Sequence, residues 1–275
     1  MRAEDAGPRR AAVLGHPVAH SLSPVLHLAA YAGLGLAWSY ERYDVDEAGL
    51  PAFVEGLDGS WAGLSLTMPL KEVVRPLLDR VDPVADLTGA VNTVVLGPGG
   101  RSGWNTDVEG VSVALDERGA GTGPSAVLGG GATARSAAAA LVQRGSSDVV
   151  VVARRPEAAL PVAEVVERLG AAATVLPWDA AADVLGREVV VSTVPKGAAD
   201  HLAPDVVPGA GCLLDVVYDP WPTPLAAAWA AAGGPVASGL DMLLHQAVRQ
   251  VELMTGLRPD TERMRRALLA AAAAR

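Results

Sequence analysis

The sequence predicts an α/β protein of two domains, and three observations predict it. Short apolar runs alternate with helix-length segments, the rhythm of strands joined through crossover helices. From Ser125 that rhythm tightens into successive βαβ units within about 110 residues, the size of one nucleotide-binding domain. After Gly239 two helix-like segments follow with no strand between them, and they are expected to return and pack on the first part.

In the first part, strands are expected near Arg10–Leu14, Ser39–Tyr43, Gly63–Thr67 and Val91–Leu96. The last closes a hairpin through "GPGG" to Arg101–Asn105. Helices are expected at Ser23–Gly33, Glu47–Leu57 and Lys71–Leu78; Ser23-Pro24 is a good start, because Ser can cap free N–H groups and Pro fits the first turn. A helix Asp107–Gly119 links the parts. The strand "SAVLG" then leads into "GGATARSAAAALVQRG", a helix ending at Gly145, followed by the strand "DVVVVA" and a helix Pro156–Gly170. Further strands are expected near Ala173–Leu176, Glu188–Ser192, Gly211–Val217 and Pro235–Ala237, and the final helices at Leu240–Thr255 and Asp260–Ala274.

Composition narrows the function. Half the residues are hydrophobic and 19% are charged, which suits a globular chain, and a net charge of −9 with no basic stripe gives no footprint for nucleic acid. Cys212 is the sole cysteine and lies in the apolar run "GCLLDVVY", so it reads as a buried structural thiol. No apolar stretch reaches the roughly 18 residues of a membrane span. The start "MRAEDAGPRR" lacks the long apolar segment of a signal peptide, so a soluble cytoplasmic protein is expected.

The clearest motif is "VLGGGATAR". A strand ends at Leu128, glycines follow at Gly129, Gly130 and Gly131, and a helix opens at Ala132 and Thr133. Small residues there let backbone approach a pyrophosphate, and the helix N-terminus offers N–H groups with a partial positive charge. An NAD site usually carries an acid at the end of the next strand, for the ribose 2′-hydroxyl; here stand Ala153, Arg154 and Arg155. Guanidinium groups suit a 2′-phosphate, which favours NADP over NAD.

A second group lies in the first part. "HSLSP" places Ser21 and Ser23 before a helix, where they could hold an anion or only cap; taken alone, capping is the stronger reading for Ser23. His16, His20 and His27 lie close in sequence, but no carboxylate or cysteine joins them at ligand spacing, so no metal is expected. "GAVNTVV" and "GWNTDVEG" set Asn-Thr pairs at strand ends, where a ligand crevice is expected, although each could be turn chemistry. "GLSLTMPLK" ends a buried strand at a proline and then Lys71, in a chain whose other lysine is Lys196.

"HSLSP", "SLTMPLK", "GAVNTV", "WNTD", "LGGG", "VVYDPWPTPL" and "GLDMLLHQA" follow in an order and at spacings that resemble the shikimate dehydrogenase family, from about Leu14 to Gly256. The resemblance implies reversible NADPH-dependent reduction of 3-dehydroshikimate to shikimate, on the route to chorismate and the aromatic amino acids. It implies an N-terminal α/β substrate domain completed by the C-terminal helices (residues 1–108 and 239–275), facing a Rossmann-type NADP-binding domain (109–238) across a cleft. By motif position, Lys71 and Asp107 match the family's catalytic pair. Ser21, Ser23, Ser65, Thr67, Asn92, Tyr218 and Gln246 match substrate-binding positions. Gly129, Gly130, Gly131, Ala132, Thr133, Ala153, Arg154, Arg155, Thr193, Val194 and Gly239 fall at cofactor positions.

The chain departs from the family pattern at three places. Ser65 stands where most members have Asn, keeping a hydrogen-bonding group of shorter reach. The Asn-Arg-Thr motif reads Ala153-Arg154-Arg155, and Asn-Ala-Thr-Pro becomes "STVPKG", in which Lys196 reads as a solvated loop residue. Other readings are a paralogue acting on quinate or aminoshikimate, against which Arg154 argues, and a noncatalytic NADP or shikimate-type sensor, against which the Lys71–Asp107 pair argues. The last two helices carry Ala and Leu nearly all round, which leaves monomer and homodimer open.

Overall fold

The computed structural model describes residues 7–275. Of "MRAEDAGPRR", on which the lack of a signal peptide was read, the first six residues lie outside the described residues. The chain divides into two compact units: one holds the chain through Thr106 together with Leu244–Arg275, the other Asp107–Leu243.

The first unit begins with strand β1 (Arg10–Gly15), helix α1 (Ser23–Leu34), β2 (Ser39–Asp44), the short α2 (Leu50–Glu55) and β3 (Trp61–Leu66). It continues through α3 (Leu70–Val73), β4 (Arg80–Val81), α4 (Pro83–Thr88), β5 (Thr93–Gly97) and β6 (Gly100–Trp104). The strand order is β2-β1-β3-β5-β6-β4. β1 runs parallel to β2 and β3, whereas β5 is antiparallel to both β3 and β6, so this sheet is mixed rather than wholly parallel. The hairpin through "GPGG" is the physical reason, since adjacent strands joined by so short a loop must reverse. β3 is buried along its whole length, and Leu14, Leu64, Leu66, Leu70 and Val91 form the core there. Fully burying one such side chain contributes about 1.5–3 kcal/mol.

Expected and observed elements differ at three helices of this unit. The helix expected from Glu47 begins at Leu50, because Asp46 Oδ1 accepts from the Gly49 N–H at 2.8 Å and holds 47–49 as a turn. The helix expected over Lys71–Leu78 stops at Val73 and continues as a 3₁₀ turn, Arg75–Leu77. Pro76 has no N–H to donate and disfavours helical backbone at the residue before it. α4 was not foreseen, although its signals are in the sequence: Asp82 accepts from the Val84 N–H at 2.9 Å, Pro83 follows, and Gly89 ends the helix at φ 64°.

The second unit runs α5 (Asp107–Asp116), β7 (Ser125–Leu128), α6 (Ala132–Gln143), β8 (Asp148–Ala153), α7 (Pro156–Arg168), β9 (Ala172–Pro177) and β10 (Val189–Ser192). β11 (Cys212–Asp215), α8 (Pro224–Ala231) and β12 (Val236–Ser238) complete its sheet. Helix α9 (Gly239–Thr255) then crosses the boundary at Leu244, and α10 (Thr261–Ala273) packs on α1. The order is β12-β11-β10-β7-β8-β9, all parallel. Numbered from β7, this is 3-2-1-4-5-6 read from the other edge, the Rossmann arrangement. β8 is buried at every position but the first, as its unbroken valines require in a sheet covered on both faces. The unforeseen α8 supplies the crossover that parallel β11 and β12 need, and its Trp229 is fully buried with the indole N–H donating to Gly211 O at 2.7 Å.

Candidate active site

In the first unit, the backbone fixes Lys71 before any ligand is considered. Thr67 N–H donates to Leu14 O at 2.9 Å, which ties the end of β3 to β1. Leu70 N–H donates back to Thr67 O at 2.8 Å across the Met68-cis-Pro69 turn, and α3 opens there. Lys71, half-buried, is the second residue of α3, and its carbonyl accepts from Val91 N–H at 2.7 Å. Thr67, Lys71 and Asn92 thus gather at the end of β3, on neighbouring chain segments.

Asn92 is 2% exposed and carries a full set of bonds on its carbonyl side. Its Oδ1 accepts from Thr93 Oγ1 and from the Thr106 N–H, both at 2.8 Å. Its amide N–H groups are left to face other acceptors: Thr106 Oγ1 at 2.9 Å and, from α9, Gln246 Oε1 at 3.4 Å. Asn92 therefore presents donors. Gln246 and Gln250 lie one turn apart on α9, so one helical face delivers both.

The serine pair behaves differently from the capping expectation. The N-cap position of α1 is Leu22, with no side-chain cap, and Ser23 is already the first helical residue. Ser21 Oγ accepts from Ser23 N–H at 3.3 Å, so Ser21 does the local capping. Ser65, expected at a substrate-binding position, commits its single hydroxyl hydrogen to Gln250 Oε1 at 2.8 Å and accepts from Tyr40 Oη at 2.6 Å.

His27 joins the same buried group. Its ring stacks on Tyr40 at 3.9 Å between centroids, and its Nε2 lies 3.1 Å from Gln250 Oε1, to which it donates as the neutral ring. Burial pushes its pKa down to about 3, with the Gln250 bond opposing that shift. The unfolded chain binds this proton below about 6.5 and the folded protein does not, so folding stability is lost as pH falls through that range. Thermal melts from pH 7 to pH 4 are expected to show a shallower fall of Tm for His27→Gln than for the native sequence; parallel curves would contradict it. His16 pairs with Asp44, and at His20 the backbone carbonyl accepts from Arg275 at 2.6 Å. Among the described residues no group of three or more His, Cys, Asp or Glu could hold a metal ion.

In the second unit, Gly129 takes φ 127°, and a Cβ on it would meet Thr193 Oγ1 at 2.2 Å. A Cβ on Gly130 would meet Ala158 O at 2.6 Å, so this turn packs too closely for any side chain. Gly131 is the opposite case: it is exposed, with nothing within 4 Å of a Cβ position, and it stands at the N-cap of α6 with no side-chain cap. Open space, small residues and the uncapped N-terminus of a 12-residue helix, at Ala132 and Thr133, fit a pyrophosphate. Thr193 holds the turn from the next strand, donating from both its N–H (2.8 Å) and its hydroxyl (2.9 Å) to Leu128 O. Val194 is half-buried beside it, and Lys196 is exposed.

At the end of β8, Ala153 is buried while Arg154 and Arg155 are exposed, with no acid at the strand end. The donor set fits a phosphorylated ribose better than a free 2′-hydroxyl. Gly239 opens α9 with a Cβ position 2.0 Å from Val216 O and 3.1 Å from Tyr218 Cδ1, so bare backbone faces Tyr218. Asp107 is 4% exposed and is the first residue of α5, where the helix N-terminus favours a carboxylate. Cys212 is 2% exposed, and burial pushes its thiol up to about 11, as an inert structural thiol would be. Sequence reading missed Tyr40 and Gln250; the two glutamines one turn apart on α9 were the signal for the second.

The comparisons agree with this arrangement. Residues 13–94 match the shikimate dehydrogenase substrate binding domain, and residues 239–269 match the shikimate 5′-dehydrogenase C-terminal domain. A shikimate dehydrogenase (NADP(+)) of Methylobacterium radiotolerans is 40% identical over 265 residues, covering 91% of this chain and 92% of its own. The crystal structure of the Mycobacterium tuberculosis shikimate dehydrogenase aligns with TM-score 0.90 at 46% identity, over 96% of this chain and all of that one. The Thermus thermophilus shikimate 5-dehydrogenase, solved in complex with NADP(H) and shikimate, aligns with TM-score 0.85 at 38% identity, over 96% of this chain and 99% of that one. With near-complete coverage at such identity, and a Rossmann unit joined to a second α/β unit, the chain belongs to the shikimate dehydrogenase family.

Proposed function

We propose that this chain is a cytoplasmic enzyme catalysing the reversible NADP-dependent interconversion of 3-dehydroshikimate and shikimate. The observation that carries the reading is the end-to-end similarity to proteins named shikimate dehydrogenase (NADP(+)). The unit holding Ser21 to Asn92 and Gln246 binds the substrate, and the unit holding Gly129 to Val194 binds NADP(H).

When bound, the reduced cofactor supplies a hydride to the carbonyl carbon. Negative charge then grows on the carbonyl oxygen, and the ketone becomes an alcohol only when a proton reaches that oxygen. Lys71 donates that proton in the reduction and takes it back in the reverse direction, with Asp107 as its acid–base partner. A lysine can do this and an arginine cannot, because guanidinium effectively never deprotonates in a protein. Asn92, held on its carbonyl side, gives a substrate oxygen the amide hydrogen that otherwise makes the long 3.4 Å bond to Gln246 Oε1. Ser21 and Ser23 hold the carboxylate through hydroxyls, and Thr67, Tyr218 and Gln246 complete the contacts. Gly129, Gly130 and Gly131 leave room for the pyrophosphate at Ala132 and Thr133. Arg154, with Arg155, pairs with the 2′-phosphate beside Ala153. Thr193, Val194 and the backbone of Gly239 border the nicotinamide.

The test is the loss of NADPH absorbance on adding 3-dehydroshikimate, with NADH, and with quinate plus NAD, as controls. Rapid consumption of NADPH and slower consumption of NADH are expected. No turnover with any of these pairs would overturn the enzyme reading.

A further inference from the structure

In one buried polar cluster of the first unit the hydrogen bonds run in a single direction, and two backbone groups set it. Thr106 N–H can only donate, so the Asn92 side-chain atom 2.8 Å from it is Oδ1. The backbone oxygen of Asn92 can only accept, so the Gln250 atom 3.3 Å from it is Nε2. Gln250 Nε2 gives its other hydrogen to Thr93 Oγ1 at 3.0 Å. With that hydrogen arriving, the Thr93 hydroxyl directs its own to Asn92 Oδ1 at 2.8 Å, a far shorter path than the 3.4 Å to Thr106 Oγ1. On the other side of the amide, Gln250 Oε1 accepts from Ser65 Oγ at 2.8 Å and from His27 Nε2 at 3.1 Å, and Ser65 Oγ accepts from Tyr40 Oη at 2.6 Å. Donation therefore passes from Tyr40 through Ser65, Gln250 and Thr93, and ends on the Asn92 carbonyl. Thr93 is fully buried, and Gln250 and Asn92 are 1% and 2% exposed, so each bond in the relay counts in full.

Thr106 settles which end of the Asn92 amide is oxygen, but one bond leaves the amide plane able to swing about it. A second donor on the same oxygen fixes the plane, and Thr93 is that donor. We propose that Thr93, aligned by Gln250, is a positioning residue that holds the Asn92 N–H edge at the angle the substrate oxygen needs. Ser65 then acts at the far end of this relay, by fixing Gln250, rather than by touching substrate. The proposal rests on Asn92 as a substrate contact, within the functional reading above.

The test compares Thr93→Val, which keeps the shape and removes the hydroxyl, with Thr93→Ser, which keeps the hydroxyl. The readouts are the Kd of shikimate by calorimetry with NADPH present, so that no turnover occurs, and steady-state KM and kcat. Thr93→Val is expected to raise Kd and KM for shikimate about three- to tenfold, the weight of one hydrogen bond, with kcat changed by less than about threefold and KM for NADP unchanged. Thr93→Ser is expected to stay within about twofold of the native values. In an Asn92→Ala background, read as kcat/KM for shikimate, Thr93→Val is expected to cost less than about twofold more, since its target is gone. A lowered Tm in Thr93→Val with Kd unchanged would make Thr93 purely structural and overturn the proposal, as would an equal loss in both backgrounds. Should Thr93→Val fail to fold, Gln250→Met replaces it: a severalfold loss confined to the Asn92-containing background supports the relay, and no loss, or an equal one in both, overturns it. A native protein that binds no shikimate overturns the functional reading and this proposal with it, whereas native binding matched by Thr93→Val overturns only the role of Thr93.

Discussion

Lys71→Ala is expected to lower kcat by about 10²–10⁴-fold, the usual worth of a positioned general acid, with little change in KM for shikimate. The end of β3 is tied to β1 through Thr67, the turn at Met68-Pro69 is closed by Leu70, and the Lys71 carbonyl is held by Val91. Removing the side chain from a short helix so anchored leaves the fold in place, so the loss falls on chemistry. The proton donor matters only as charge grows on the carbonyl oxygen, which is why kcat falls and ground-state binding does not. Lys71→Arg is expected not to rescue the rate, because a guanidinium keeps its proton. A native kcat in Lys71→Ala would refute the assigned role, and a loss confined to KM would make Lys71 a binding residue instead.

Arg154→Ala is expected to raise KM for NADPH by about 10–100-fold, the weight of one charge-assisted hydrogen bond to a phosphate, while KM for NADH changes little. Arg154 is exposed at the end of β8, so its removal leaves no cavity and exposes no core. The 2′-phosphate is the only group that distinguishes the two cofactors, so the ratio of the two effects isolates that contact. Equal effects would count against it. The neighbouring Arg155 sets a lower bound, since a second guanidinium at the same strand end can retain part of the affinity.

The sequence made the Rossmann unit legible because its signals are local. A strand, three small residues and a helix N-terminus lie within a dozen positions, and continuous valines mark a strand covered on both faces. Lys71 was legible for a similar reason, standing right after a buried strand and a proline. The chain Tyr40–Ser65–Gln250 was not, because its links span 25 and 185 residues and only the fold brings them together. Ser65 illustrates the point: its motif position marks a substrate contact, while its hydrogen bonds commit it to Tyr40 and Gln250. Ser23 shows the same limit on a smaller scale, since Ser-Pro before a helix reads as a cap and the structure gives that role to Ser21. α4 and α8 were missed for another reason; each is short, and each has an Asp or Thr cap followed by proline that was there to be read.

The central claim is that this chain moves a hydride from NADPH to the carbonyl carbon of 3-dehydroshikimate. NADPH carrying deuterium at both C4 positions tests it directly, with the product analysed by mass spectrometry. Shikimate heavier by one deuterium, formed in step with cofactor oxidation, is the expected product. Unlabelled shikimate, or cofactor oxidised with no shikimate formed, would contradict it.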